Sequence, residues 1–296
     1  MRGGGVGCDR VTMYAYPPPS PQTLAWLRGA LGAPVAATTP LTGGISQAVD
    51  AVDTADGRRY ALRRWCRPGW QADDPWFTPQ NEATALTSLS GTGLPVPEVV
   101  ALDPTGAEAG HPALLMTWLP GEMLPSATHR DAAVPPPTPD MLARLVEAAH
   151  AIHAVDGGGV APFEPYVVLA EARPPAASTR PELWERAIAA GLAAPAPTRT
   201  TLVHRDYHPG NTLWRDGTLT GIVDWTNASR GVPGYDFGYL RVNLLITYGP
   251  EYADSLLPLL DGHDPADDLA AFLDMEWEGP HAAPLPVMES YLERLL

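Results

Sequence analysis

Lysine is absent from this chain. All 19 basic residues are arginine, set against 34 aspartates and glutamates, for a formal net charge of −15. Any cation that holds a phosphate here must therefore be a guanidinium, a two-pronged donor rather than a point charge. An acidic surface repels a phosphate backbone, which argues against nucleic acid as a partner and suits a cationic small substrate. Cysteine is almost missing. Cys8 and Cys66 have no metal-ligand spacing, which excludes a disulfide framework and points to a reducing cytoplasm. No run is long and apolar enough to span a membrane. "VGC" before Asp9 has no apolar segment ahead of it, so no signal peptide is expected.

What the chain has in quantity is proline (34) and glycine (28), clustered in the first 20 residues and between 120 and 200, where long ordered loops are expected. With 45% hydrophobic residues over 296 positions, there is material for one large domain or two lobes with real cores. Residues 1–20 read as a flexible leader, with Met13 as an alternative start. Ser20 then caps a short helix over Thr23–Leu31. Val49, Ala51 and Thr54 alternate against polar positions, Tyr60–Trp65 is a second extended run, and Asp56-Gly57 between them signals a tight turn. "TPQNEATALTSLS" reads as a helix capped by Thr78 and opened by Pro79. Leu86 and Leu89 mark its inner face, and Glu82 shares that face, so its carboxylate needs a partner. "LPVPEVVALD" and "PALLMTWLPG" add two strands, giving strand-strand-helix-strand-strand. Beyond Pro120 helices dominate: a strong one capped by Thr138, then 181–192, 236–247, 251–260, 265–275 and the C-terminal "VMESYLERLL". The expected fold class is α+β.

One stretch carries chemistry: "LVHRDYHPGNTLWRDGTLTGIVDW". Asp216-Gly217 between Asn211–Arg215 and Thr218–Trp225 predicts a β-hairpin with a two-residue loop. In that register Arg215 faces Thr218, Trp214 faces Leu219 and Asn211 faces Ile222. Asp224 then lies about 7 Å along the strand from the position opposite Asn211, on the same face. The loop with His204 and Asp206 runs straight into Asn211, so Asp206, Asn211 and Asp224 converge at one end of the hairpin. Two carboxylates and an amide oxygen suit a hard cation such as Mg²⁺. The bland alternative, ordinary turn aspartates, competes for any single residue but not for the whole spacing. His208, His150 and His153 show no partner in sequence and read as packing or surface residues.

"HRDYHPGN" followed by "IVDW" resembles the catalytic core of the aminoglycoside phosphotransferase and choline kinase-like family, relatives of protein kinases. "LTGGISQAVDAV" is similar to the family's nucleotide loop, "EATALTSLSGTGLPVPEVVAL" to its helix and following strand, "LLMTWLPGE" to its lobe connection, and "GVPGYDFGYL" to the segment opening its next helix. The resemblance spans about residues 40–245 and implies a bilobal, protein-kinase-like fold. The lobes would be a small mixed one over residues 21–118, binding nucleotide, and a mainly helical one over 119–296. It further implies that Asp206 accepts or orients the proton of a substrate hydroxyl, and that Asn211 and Asp224 hold Mg²⁺ on the phosphates of ATP or GTP. Gly43, Gly44 and Ser46 would line those phosphates, and Thr117, Trp118 and Leu119 would border the adenine. His204 and Asp236 would support the loop. "YALR" stands where the family has a lysine, so Arg63 is the substitute, partnering Glu82, with Ala61 against the base. Arg64 points the other way and is expected at the surface.

Asp236-Phe237-Gly238 spells the protein-kinase metal tripeptide. Spacing instead makes Asp224 the metal residue and Asp236 a helix cap. Only "WTNASRGVPGY" separates Asp224 from Asp236, too little for a peptide-docking segment, so the implied acceptor is a small molecule. Aminoglycosides, macrolides, sugars, amino alcohols and nucleoside-like metabolites stay open. Asp261, Asp264, Asp267, Asp268, Asp274, Glu276 and Glu278 could bind ammonium groups or form a solvated acidic face. A nucleotide-binding pseudokinase and a sequestering protein are the rival classes, and no oligomeric state is implied.

Overall fold

The computed structural model describes residues 16–41, 47–67, 69, 75–125, 135–195, 199–260, 264–275 and 285–296. Residues 1–15 of the leader expected over 1–20, and the glycine loop at 42–46, lie outside the described residues.

Helix α1 (Pro21–Leu31) begins where Ser20 Oγ accepts from the Thr23 N–H and ends at Gly32, whose φ of 61° suits a residue without Cβ. Strands β1 (Val35–Pro40), β2 (Ala48–Thr54) and β3 (Arg59–Arg64) follow, then α2 (Pro79–Ser88), β4 (Val99–Asp103) and β5 (Ala113–Thr117). They form one antiparallel sheet in the order β1-β2-β3-β5-β4. The β1 strand was not expected. Its residues, "VAATTP", are small and polar without alternation, and it survives as an edge strand ending in Pro40.

Side-chain alternation divides this sheet between two helices. Ala113, Leu115 and Leu62 pack with Leu27 and Leu31 of α1, whereas Leu114 and Met116 pack with Leu86 and Leu89 of α2. Both faces are covered, which explains the unbroken apolar run "ALLM". The same cover corrects the placing of Arg64. It is 2% exposed, sharing the α1 face with Leu62, and its Nη2 pairs with Asp50 at 2.8 Å and donates to Pro17 O at 2.8 Å. The segment leading into α1 closes over a face that the hairpin pattern alone leaves open.

The remaining elements are β6 (Glu122–Met123), α3 (Pro139–His153), β7 (Ala161–Pro162), α4 (Pro181–Ala193), β8 (Thr201–Val203), β9 (Thr212–Arg215), β10 (Thr218–Ile222), β11 (Ser229–Gly231), α5 (Pro233–Tyr248), α6 (Pro250–Ser255), α7 (Pro265–Leu273) and α8 (Leu285–Leu295). Two boundaries differ from the sequence reading. Helix α5 starts at Pro233, not Asp236, and 251–260 is α6 followed by a 3-10 turn at Leu257–Leu259, because Pro258 cannot continue an α-helix. One apolar cluster runs unbroken from Leu86 and Leu114 through Leu145, Ile152 and Leu202 to Trp225, Leu240 and Leu244, so the sheet half and the helical half share a core. A second cluster, around Trp184, Phe272, Met288 and Tyr291, joins α4, α5, α7 and α8. No helix among the described residues is long and apolar enough to cross a membrane.

Candidate active site

The loop after β8 is suspended from a single carboxylate. Asp236, fully buried in the first turn of α5, accepts the backbone N–H of His204 at 2.9 Å and of Arg205 at 2.8 Å. His153 Nε2 lies 2.9 Å from the same carboxylate. Asp236 is thus not the helix cap expected of it, since Val232 precedes Pro233 in that place. Its bonds go to the loop instead, and they hold Arg205 in the left-handed region at φ 70°, a conformation that costs about 1–3 kcal/mol elsewhere. Arg205 is further fixed by stacking on Tyr166 and Phe163, 3.9 and 5.3 Å from the ring centres. His204 is buried, with Nε2 donating to Val223 O at 3.0 Å and Nδ1 accepting the Asp206 N–H at 3.3 Å. It therefore ties the loop to the chain just before Asp224.

Asp206 stands at the loop's open side, its side chain 27% exposed. Asn211 Nδ2 donates to its Oδ2 at 3.0 Å and to its backbone oxygen at 2.9 Å. His208 Nε2 lies 3.4 Å from Oδ1, and because His208 Nδ1 accepts from Gly210 N, the Nε2 carries the proton. Burial works to raise the Asp206 pKa, but His208, His204 and Asn211 outweigh it and hold it down at about 2. The Tyr239 phenol also bonds toward Asp206 and is pushed well up by burial and by that charge. His208 and His153, taken from sequence as unpartnered, both have carboxylate partners. Those partners come from a turn and from a helix far along the chain.

The hairpin of β9 and β10 turns at Asp216-Gly217 as expected, with Arg215 opposite Thr218 and Trp214 opposite Leu219. Its register then slips: Gly221 faces Leu213 and Ile222 faces Thr212. The Thr220 hydroxyl bonds Pro120 O and Leu213 O, and this contact from outside the hairpin creates the bulge. So Ile222 does not face Asn211. Val223 does, donating its N–H to Asn211 O at 2.9 Å. Asp224 follows off the strand in a left-handed conformation, φ 66° and ψ 59°.

Arg63 meets Asp224 there. Its Nη1 lies 2.6 Å from Asp224 Oδ1 and 3.5 Å from Glu82 Oε1. It also donates to the Thr226 hydroxyl and, at 3.4 Å, to Gln47 Oε1. Thr226 Oγ1 lies 3.2 Å from Asp224 Oδ1 and 3.4 Å from Glu82 Oε2. Burial pushes Glu82 up to about 7, partly offset by Arg63 and reinforced by the Asp224 charge. Desolvation disfavours the charged Arg63, yet Asp224 and Glu82 together raise its pKa above the ordinary value. Asn81, buried beside Glu82, donates to Thr226 O at 3.2 Å and Ala228 O at 2.9 Å and accepts from Ala161 N at 2.8 Å. Asn81, Thr226 and Gln47 were missed in sequence. Only the adjacency of Asn81 to Glu82 and of Thr226 to "IVDW" could have flagged them.

The other expected nucleotide contacts are arranged as follows. Ala61 is half-buried and pairs with Ala51 and Met116, on the same face as Arg63. Thr117 is tied to Glu98, its Oγ1 accepting the Glu98 N–H at 2.9 Å. The Arg59 guanidinium sits 5.2 Å from the Trp118 ring centre, and Leu119 is half-buried. Gly43, Gly44 and Ser46 lie outside the described residues. For a metal, Asn211 directs its amide nitrogen to Asp206, and its amide oxygen has no hydrogen-bond partner among the described residues, while the Asp224 side chain is 42% exposed. Among the described residues no group of three or more His, Cys, Asp or Glu could hold an ion. Two oxygen ligands fit Mg²⁺, which commonly takes one or two protein groups plus phosphates and water.

The C-terminal acids are mostly committed internally. Asp268 is buried against Arg241 and accepts from Tyr291 OH at 3.0 Å. Asp274 accepts from Tyr235 OH and from Val167 N. Asp264 caps α7, accepting the Ala266 N–H. Asp261, Glu276 and Glu278 are outside the described residues.

The model of the phosphotransferase enzyme family matches residues 37–269. Among curated protein sequences none matches significantly. Solved structures do. The aminoglycoside phosphotransferase APH(4)-Ia is 18% identical with a TM-score of 0.63, covering 93% of this chain and 97% of that one. A candidate fructosamine-3-kinase from Thermobifida fusca is 20% identical with a TM-score of 0.58, covering 92% and 97%. The macrolide 2′-phosphotransferase MphH from Brachybacterium faecium is 20% identical with a TM-score of 0.56, covering 91% and 88%. Over most of its length, then, the chain belongs to the phosphotransferase enzyme family, small-molecule kinases on a protein-kinase-like α+β fold.

Proposed function

We propose that this enzyme moves the terminal phosphate of ATP or GTP to a hydroxyl of a small molecule, with residues 21–118 binding the nucleotide and 119–296 the acceptor, in the cytoplasm. The observation that carries the reading is the pairing of Asp206 with Asn211, next to Asp224. A carboxylate held at about 2 stays ionised at neutral pH and is a weak base. Its work is to orient the acceptor hydroxyl, which suffices for a reaction governed by positioning and charge neutralisation. Asn211 and Asp224 would hold Mg²⁺, which would neutralise charge on the phosphates, and Arg63 would add a guanidinium in place of the missing lysine. A thermostable mutant of APH(4)-Ia crystallised with ADP and hygromycin B accords with a nucleotide co-substrate.

An aminoglycoside or another antibiotic is the first acceptor class to test. A second reading is a kinase of a sugar, alcohol or amino alcohol of metabolism, and its neutral acceptors, the sugars and simple alcohols, draw support from Asp268 and Asp274. Both already have internal partners, so neither is free to bind ammonium groups. The deciding experiment is phosphate transfer from ATP and GTP across aminoglycosides, macrolides, sugars and amino alcohols, with Asp206→Ala as control. Turnover lost about 10²-fold or more in Asp206→Ala is expected. An unchanged rate in that variant removes the role given to Asp206. Nucleotide binding without turnover of any acceptor favours a pseudokinase.

A further inference from the structure

We infer that Arg63 shuts the metal aspartate to a bare divalent cation, so that metal enters this site only together with a nucleotide. The inference rests on Asp224 being the metal ligand, as proposed above. Arg63 is 7% exposed, and its guanidinium makes its closest carboxylate contact with Asp224 Oδ1, at 2.6 Å, rather than with Glu82 at 3.5 Å. The Thr226 hydroxyl holds the same Nη1 and also bonds Asp224 Oδ1, so cation and carboxylate are clasped at one point. Gln47 Oε1 and Asn81, through its bonds to the backbone at 226 and 228, keep the clasp from shifting. A divalent ion on either oxygen of Asp224 would meet a positive charge held a few ångströms away on the buried Arg63.

A nucleotide changes that balance. Its phosphates bring the negative charge that Arg63 otherwise takes from Asp224. The Arg63 Nε–H, buried and without an acceptor among the described residues, is one donor that a phosphate oxygen would satisfy. With the guanidinium turned to phosphate, Asp224 and the free oxygen of Asn211 are available to the ion. The length of arginine matters here. Lysine is one atom shorter and carries a point charge, and it would settle on the buried Glu82, which needs a cation more than the half-exposed Asp224 does.

The test uses the full chain, Mn²⁺ as the metal and ADP as the nucleotide, with Mn²⁺ binding followed by electron paramagnetic resonance. Wild type is expected to bind Mn²⁺ weakly alone and much more tightly with ADP. Arg63→Lys keeps the partner of Glu82 and is expected to bind Mn²⁺ alone about tenfold or more tightly than wild type, the equivalent of one charge-assisted hydrogen bond released. Thr226→Val opens the clasp from its other side and shifts Mn²⁺ binding in the same direction. Equal Mn²⁺-alone affinity in wild type and both variants, with Mn²⁺–ADP binding lost in Asp224→Asn, overturns the inference and leaves the metal assignment standing. Unchanged Mn²⁺–ADP binding in Asp224→Asn overturns the assignment itself, and the inference with it.

Discussion

Replacing Asp236 by asparagine separates the two aspartates that could claim the metal. The Asp236 carboxylate accepts from His204 N and His153 Nε2 on one oxygen and from Arg205 N on the other. An asparagine has one oxygen. Placed toward Arg205, it turns its NH₂ against the His204 N–H; placed toward His204, against that of Arg205. Either way one buried N–H loses its acceptor, at about 1–3 kcal/mol, and the remaining bonds lose their charge assistance. We expect a total near 3 kcal/mol. For a chain of 296 residues, with an unfolding entropy of roughly 0.6 kcal/mol/K, that is about 5 °C in Tm. Urea unfolding followed by circular dichroism reads it directly. Asp224→Asn should behave oppositely. Its carboxylate is 42% exposed and pairs with an Arg63 that keeps Glu82, so stability should move by less than about 1 kcal/mol, while kcat falls about 10²-fold or more. If Asp236→Asn kept wild-type stability and lost activity, and Asp224→Asn did the reverse, the reasoning from the hairpin and the suspended loop would fail.

Three further outcomes are expected. His208 is the first of the groups that hold Asp206 down at about 2, so His208→Ala should raise the Asp206 pKa and move the acid limb of the kcat/KM profile to higher pH; an unmoved limb would count against the contact. Asp267 is raised to about 6 by burial and by Asp264. The folded state therefore favours its protonated form, and its contribution to stability declines as pH rises from about 4 to about 6. Asp267→Asn should raise Tm at pH 7 and leave it unchanged at pH 3.5, as differential scanning calorimetry would show. A Cβ at Gly238 would sit 2.5 Å from the Asp267 backbone oxygen. Gly238→Ala should thus cost about 1–3 kcal/mol by wedging α5 from α7, measured as a lower urea midpoint.

Local chemistry was legible in the sequence wherever it was self-contained. Ser20, Thr78 and Thr138 each accept the N–H three residues on, with proline opening the helix, as their order in the chain implies. Asp216-Gly217 took positive φ at both positions and set the near half of the hairpin. Reading failed where a contact came from far away. Thr220 slips the register because Pro120 O lies beside it, Arg64 is buried because the chain at Pro17 crosses it, and His153 finds Asp236 only once α3 and α5 pack. No window of sequence holds both members of any of these pairs.

The same distinction explains why the Asp-Phe-Gly tripeptide misleads. In a short motif the residue type advertises a chemistry, but the backbone partners decide it. Asp236 lies in the first turn of a helix whose Phe237 packs against His150 and His153, with ring centres 5.0 and 5.1 Å away, and whose Gly238 lets α7 approach closely. A side chain so placed points inward, to the N–H groups of the loop, and is completely buried. A metal ligand needs an oxygen left open to solvent and phosphate, and of the two aspartates only Asp224, off the end of its strand and with its side chain 42% exposed, meets that need. The bulge at Thr220 corrects the register and removes the alternation argument for Asp224, since a one-residue slip turns a side chain on a continuing strand to the other face. With Val223 rather than Ile222 opposite Asn211, Asp224 follows directly, and its left-handed backbone, φ 66° and ψ 59°, rather than strand alternation sets the direction of its carboxylate.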